Sequence, residues 1–273
     1  MGKNLNISIV LYNSDFAEIS SLILTLKENK CLNHVYLVDN SPVKNIEFKN
    51  CDAIYIFPGK NLGYGAGHNL AIKESFKDKI KYHLVLNPDV QIEPGVLNKL
   101  LEQLENDQEI SLIMPQIIYP DGQIQYLCKL HPTPFDLFGR RFIPLRNWIR
   151  SRNNKYELRF TGYNKTAQIP SLSGCFMLLK TEVLQEVGCF DERFFMYCED
   201  FDLCRRIGQV SKTIYFPEVS VIHNYEKGSY KISKLLIYHI HSAFNYFNKW
   251  GWFFDEERRR INKETLLKLG FKK

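Results

Sequence analysis

The sequence predicts an α/β fold with a mainly parallel central sheet flanked by helices and a C-terminal helical extension. Three observations predict it. In the first half, short apolar runs alternate with longer stretches of helical character, the pattern of strand–helix–strand units. Several runs are β-branched and continuously apolar, as strands buried on both faces require. Three of them end on a polar residue, Asn13, Asp39 or Asp89, and parallel strands would gather those side chains along one edge.

In chain order, strands are expected at Ile7–Leu11, Val35–Val38, Ala53–Phe57, His83–Leu86 and Ser111–Ile118. Helices are expected near Phe16–Asn29, Ala66–Lys77 and Gly95–Glu105. From Pro120 to about Pro170 the chain is turn-rich and basic, which fits a long excursion better than a packed element. A second ordered block, Ser171 to about Asn224, carries a strand at Phe176–Leu179, a short helix from Thr181 and a strand-like run at Val219–Ile222. The tail from Lys231 reads as helix, with Ile232, Leu235, Leu236, Ile240, Ala243, Phe244 and Phe247 at helical spacing and Trp250, Trp252, Phe253 and Phe254 beyond. This divides the chain into a domain over 1–225, with a basic loop at about 120–170, and an amphipathic basic extension over 226–273.

Composition is that of an ordinary soluble globular protein. The seven cysteines form no CxxC pair, so they read as reduced thiols of a cytoplasmic protein; a zinc site at Cys198 and Cys204 lacks the paired spacing. The N-terminal segment has no signal-peptide layout, and no apolar run approaches the roughly 20 residues needed to span a bilayer. The net charge of +6 is uneven. Residues 128–165 hold nine basic side chains against two acidic ones, and residues 227–273 hold eleven against four. Two basic segments on an acidic body suggest an anionic partner: a phosphate-bearing substrate, acidic lipid or nucleic acid. Solvated charged loops are the plain alternative. Aromatic residues beside Arg258–Arg259–Arg260 favour peripheral contact of 231–273 with the inner face of the cell membrane, although packing onto the domain explains the apolar stripe equally well.

Several segments carry chemistry. Asp89 follows Asn87 and Pro88 on a stiff turn, a start for a hard divalent-cation site or simply a turn former. The run Asn61–Leu62–Gly63–Tyr64–Gly65–Ala66–Gly67–His68–Asn69 is a glycine-rich turn into a helix, but not the dinucleotide fingerprint. Its glycines permit close backbone approach, and Asn61 and Asn69 can bond a base or ribose. In the block Phe190–Ile207, a helix from Glu199 puts Glu199, Asp202 and Arg206 on one face, expected in water. Asp200 then shares the inward face with Leu203, Cys204 and Ile207, where desolvation raises a carboxylate pKa and suits a general base. A helix cap or an ion pair with Arg193 remains open for Asp200. His223, after a strand, is either a packed residue or the completion of a cation site at Asp89.

Together, ISIVLYN, VDNS, NLGYGAGHN, LNPDV and SGCFMLLKTEVLQEVGCFDERFFMYCEDFDLCRRI resemble glycosyltransferase family 2 over roughly residues 5 to 250, with the GT-A fold. Within it, the chain is similar to the rhamnosyltransferase-like branch that builds bacterial surface polysaccharides. The resemblance implies a nucleobase pocket lined by Tyr12, Asn13 and Asp39, with Asn61, Gly63 and Asn69 on the nucleoside side. It implies Asp89 as the last aspartate of a DxD metal motif, His223 as a metal or diphosphate contact, and Asp200 as catalytic base. Gly174, Cys175 and Glu199 fall where donor sugar and acceptor meet. One departure is that the first DxD aspartate is Asn87, which weakens the expected cation site while leaving a carbonyl ligand.

The implied activity is inverting transfer of a sugar, foremost L-rhamnose from dTDP-rhamnose, to a saccharide acceptor on a lipid pyrophosphate, in O-antigen or capsule synthesis, with Mg²⁺ or Mn²⁺. Alternatives are another donor, such as UDP-galactofuranose or UDP-glucose, or a non-catalytic carbohydrate-binding protein. A sugar-1-phosphate nucleotidyltransferase would need a phosphate loop that residues 5–20 lack, and no nucleic-acid module accompanies the basic segments.

Overall fold

The computed structural model describes residues 2–139, 146–224 and 233–272. The first half comprises β1 (Leu5–Leu11), α1 (Phe16–Lys27), β2 (Leu32–Asp39), β3 (Ile54–Ile56), α2 (Tyr64–Lys77), β4 (Tyr82–Leu86), β5 (Val90–Gln91), α3 (Val96–Asn106) and β6 (Ile110–Ile118). The second comprises α4 (Arg146–Tyr156), β7 (Ala167–Gln168), β8 (Phe176–Lys180), α5 (Thr181–Val187), α6 (Glu199–Gly208), β9 (Lys212–His223), α7 (Ser233–Trp250) and α8 (Glu256–Lys268).

One sheet runs in the order β3-β2-β1-β4-β8-β6-β9-β5, with β7 also against β9. From β3 to β4 all pairings are parallel, as expected. The sheet as a whole is mixed. β8 runs antiparallel to both β4 and β6, β6 and β9 are parallel, and the short β5 and β7 oppose β9. Composition marks a buried strand but not its direction, which is why the reversal at β8 was not foreseen. Two reversals restore the direction of β4 in β6 and β9, so the end of β9 returns to the edge where β1, β2 and β4 end.

Local sequence accounts for the elements. Asp15 caps α1 by accepting from the backbone N–H groups of Ala17 and Glu18, and Ile19, Leu22, Ile23 and Leu26 form its buried stripe. Along β1, Leu5, Ile7, Ile9 and Leu11 occupy one face of the core. The opposite face carries Asn6 and Ser8, also fully buried. Ser8 bonds His68 of α2 at 2.7 Å and His83 of β4 at 2.8 Å; Ser75 bonds His83 at 2.7 Å and accepts from Asn6 at 3.0 Å. Burial keeps both imidazoles neutral, pushing His83 down to about 3. Gly67 allows this close seat, since a Cβ there would meet Val10 Cγ2 at 2.8 Å.

The basic stretch over 120–170 is a packed element rather than a free excursion. Gln125, Cys128, Leu130, His131 and Leu137 are buried, Lys129 bridges Ser171, and α4 forms within it; residues 140–145 lie outside the described residues. Its polar composition conceals that it serves as a wall of the domain. The tail forms two helices, broken at Gly251 in a left-handed conformation (φ +97°). Ala243, Tyr246 and Phe247 bury themselves against Leu137, Phe194, Cys198 and Phe201, while Ile232 lies outside the described residues. Among the described residues no helix is long and apolar enough to cross a membrane.

Candidate active site

The topology fixes where the site residues meet. β1, β2 and β4 deliver Asn13, Asp39 and Asp89 to one edge; β8 starts there, bringing Gly174 and Cys175; β9 ends there at His223, which registers with Val90.

At the β1–β2 end, Asp39 lies opposite Leu11 and is fully buried. It accepts from Tyr55 Oη at 2.6 Å and from Ser41 N at 3.0 Å. Tyr12 is 55% exposed beside it, and Asn13 takes a left-handed conformation (φ 51°) with its N–H on Ser41 Oγ. Ser41 thus links the exposed Asn13 to the buried Asp39 carboxylate. The glycine-rich turn is used differently from expectation. Gly63 (φ +89°) lies against the Phe195 carbonyl, where a Cβ would approach to 2.2 Å, and Gly65 lies against Phe190. Asn61 Oδ1 accepts from Gly63 N, closing the turn. The Asn69 amide is consumed by Phe190 N, Phe190 O and Glu192, so it anchors the 190–192 loop instead of reaching toward a nucleoside. The close approach that the glycines permit is to the chain itself. Asn40, not picked out from sequence, ties β2 to this turn through Gly63 O at 2.9 Å.

Asn87, Asp89 and His223 converge. His223 Nε2 lies 3.2 Å from Asp89 Oδ1 and 3.3 Å from Asn87 Nδ2. Gln125 fixes the histidine: its Nε2 donates to His223 O at 2.7 Å and lies 3.4 Å from Ile118 O, which turns Oε1 toward His223 Nδ1 at 2.9 Å. An amide oxygen only accepts, so Nδ1 carries the proton and, in the neutral ring, the Nε2 lone pair faces the carboxylate. Asp89 Oδ1 is buried and makes no hydrogen bond. Two acceptors in such proximity repel unless a cation or proton lies between them. Adjacent ligands of an octahedral Mg²⁺ with bonds of about 2.1 Å stand roughly 3.0 Å apart, so this spacing fits a divalent cation. Among the described residues no group of three His, Cys, Asp or Glu side chains forms a metal site, and Cys198 and Cys204 are separate buried thiols. A cation here therefore depends on one carboxylate, one imidazole, the Asn87 amide and substrate oxygens.

Asp200 stands at the start of α6. It accepts from Gly174 N at 3.1 Å and from Phe201 N at 2.8 Å. Burial raises its pKa, while Lys129 and these N–H groups pull it back. Arg193 pairs instead with Asp191 at 2.6 Å, which removes the ion-pair alternative. Glu199 is buried with Oε2 unbonded, and burial followed by the charge of Asp200 holds its pKa well above the carboxylate range. The expected watery face of α6 is in fact covered. Asp202 is fully buried, accepting from Arg206, Trp250 Nε1 and Lys249 at 2.7–2.9 Å because α7 packs over it. Cys175 accepts from Asn87 N through its carbonyl, and burial pushes its thiol up to about 12, so it is no nucleophile. Tyr64 joins the two halves: its hydroxyl donates to Gly174 O at 2.6 Å and lies 2.9 Å from Asn87. Tyr64, Gln125 and Lys129 were not picked out from sequence. Tyr64 lay within a quoted motif, whereas the other two sat in the stretch read as an excursion.

A sheet edge that gathers the buried Asp39 at one side, and the Asp89–His223 pair with the adjacent acids Glu199 and Asp200 at the other, fits a GT-A fold. The chain belongs to glycosyl transferase family 2, whose family model matches residues 7–188. It is 30% identical over 188 residues to an N-acetylglucosaminyl-diphospho-decaprenol L-rhamnosyltransferase of Mycobacterium tuberculosis, covering 61% of this chain and 57% of that protein. It is 27% identical over 195 residues to the rhamnosyltransferase WbbL of Escherichia coli, covering 67% and 70%. The chain thus spans little more than half the length of the mycobacterial relative. Among solved structures, GalNAc-T7 with UDP, GalNAc and Mn²⁺ matches at TM-score 0.62 and 14% identity, over 98% of this chain and 55% of that one. The mannosyltransferase PcManGT from Pyrobaculum calidifontis with GDP-Man and Mn²⁺ matches at 0.58 and 12%, over 99% and 76%.

Proposed function

We propose that the chain is an inverting glycosyltransferase that moves L-rhamnose from dTDP-rhamnose to a saccharide acceptor on a lipid pyrophosphate, at the inner face of the membrane, in surface-polysaccharide synthesis. The observation that carries the catalytic reading is Asp200, a carboxylate held by two backbone N–H groups at the sheet edge that also carries Asp89 and His223. The rhamnosyl donor and lipid-linked acceptor are supported by the names of the relatives and by the basic segments.

In this reading the exposed Tyr12 and Asn13 receive the base, and the Gly63 turn shapes the wall beside them. Asp39, fully buried and bonded to Tyr55 and Ser41, supports them through Ser41 rather than meeting the base. Gly174 and Phe201 N–H groups aim the Asp200 carboxylate, which accepts the proton of the acceptor hydroxyl. That oxygen bonds to the anomeric carbon as the bond to the diphosphate breaks, inverting the centre. Glu199, protonated, donates to a sugar or acceptor oxygen. A divalent cation held by Asp89, His223 and Asn87 would neutralise charge on the departing diphosphate.

A positioned base contributes about 10²–10⁴-fold. Asp200→Asn should therefore lose that order of kcat in a purified transfer assay, with dTDP affinity by calorimetry unchanged. Near-normal turnover removes Asp200 from the role. A thermal-shift comparison of dTDP-, UDP- and GDP-sugars tests the donor, and stabilisation by UDP-sugars alone would replace dTDP-rhamnose.

A further inference from the structure

Hydrogen-bond arithmetic at Tyr64 assigns it a task. Its hydroxyl has one proton, and its two neighbours are the Gly174 carbonyl at 2.6 Å and Asn87 Oδ1 at 2.9 Å, both acceptors. The carbonyl has no alternative role and lies nearer. Once it takes the proton, the tyrosine oxygen accepts only, and the Asn87 amide satisfies it by turning over to present Nδ2. That rotation moves Oδ1 to the position now 3.3 Å from His223 Nε2, next to Asp89. Without a cation the opposite orientation is favoured, because Nδ2 then donates to the His223 lone pair. A hydroxyl accommodates both orientations, donating in one and accepting in the other.

We propose that Tyr64 is a positioning residue whose hydroxyl lets the Asn87 carboxamide turn its oxygen onto the divalent cation, compensating for the missing carboxylate at that position. This rests on the cation site proposed above. The ring is well placed to hold its hydroxyl still: it packs edge-on against His68 at 4.5 Å and near Phe190 at 6.3 Å, and its backbone N–H is held by Phe195 O at 2.8 Å. His68 in turn is bonded into β1 through Ser8.

The test is a double-mutant cycle on metal affinity, read by the EPR signal of free Mn²⁺ in titrations of the full chain saturated with dTDP, and repeated with UDP and GDP. Removing a partner that orients a metal ligand typically costs about 10–100-fold in affinity. Tyr64→Phe should weaken Mn²⁺ binding by that order. Asn87→Asp has an oxygen on both sides and needs no orienting group. In that background Tyr64→Phe should leave Mn²⁺ affinity unchanged, a coupling that general loss of packing would not produce. Equal losses in both backgrounds, or no loss in either, overturn the proposal while leaving the cation site standing. Absence of Mn²⁺ binding by the parent chain with every nucleotide overturns both.

Discussion

At the scale of single residues, the adjacent acids Glu199 and Asp200 divide one environment into two roles. Burial raises both, but Asp200 is drawn back by Lys129 and by N–H donors from Gly174 and Phe201, whereas Glu199 has only its own backbone N–H and is raised further by the charge of Asp200. Asp200 is therefore the acid that ionises first, and Glu199 keeps its proton. Two carboxyls pushed apart in this way suit the acid and base roles proposed for them. The base acts as a carboxylate, so kcat/KM should rise with pH through the raised pKa of Asp200, placing the acid limb above the ordinary aspartate value of about 3.9. Lys129→Met removes a cation that favours the charged form, and should move this limb to higher pH. Glu199→Gln copies a protonated acid and should leave the limb in place, even if kcat falls. A limb that moves down in Lys129→Met, or follows Glu199, would reverse the assignment.

At the scale of elements, α6 holds Asp200 in place because the two tail helices grip its other side. Arg205, 2% exposed, makes paired bonds of 2.7 Å to Asp255 and reaches Glu257. Asp255 also caps α8 by accepting from Arg258 N. Removing one partner of a buried ion pair typically costs about 3–5 kcal/mol, since the remaining charge is stranded. Asp255→Ala should lower stability by that order in urea unfolding, and a loss below about 1 kcal/mol would mean that α8 is not gripping α6. Gly63→Ala makes a similar claim on α2: it forces a side chain into a left-handed conformation and against the Phe195 carbonyl, and should depress Tm by several degrees. These grips also explain what the sequence did and did not disclose. The strand ends at Asn13, Asp39 and Asp89 were legible because apolar runs stop on polar residues. The inward turn of Leu203, Cys204 and Ile207 was legible from helical period. Asp202 was misplaced in water because period identifies faces of a helix and not the element that will cover them; its partners Lys249 and Trp250 lie 47 or more residues away. Gln125 escaped notice for the same reason, since only the fold brings it under His223.

At the scale of the whole molecule, the described parts of the two basic segments pack against each other. Phe138 of the first stacks on Trp252 of the second at 6.1 Å and contacts Phe244 and Phe247, while Asn262 bonds both the N–H and the carbonyl of His131 at 2.9 Å. Near this junction the tail leaves Phe253 66% and Phe254 90% exposed, with Arg259 and Lys263 exposed on the following helix. Apolar rings beside cations match the boundary between acidic headgroups and acyl chains, where each basic residue contributes about 1 kcal/mol and burial of a phenylalanine roughly 1.5–3 kcal/mol. The chain should therefore float with vesicles rich in phosphatidylglycerol and release as salt rises, because the cationic share is screened while the aromatic share is not. The double variant Phe253→Ser, Phe254→Ser lies outside the catalytic edge, so transfer to a short soluble acceptor should persist while the vesicle partition coefficient falls by about tenfold or more. Equal flotation of parent and variant would show that these rings do not carry membrane contact, and equal binding to purely zwitterionic vesicles would show that the cations do not.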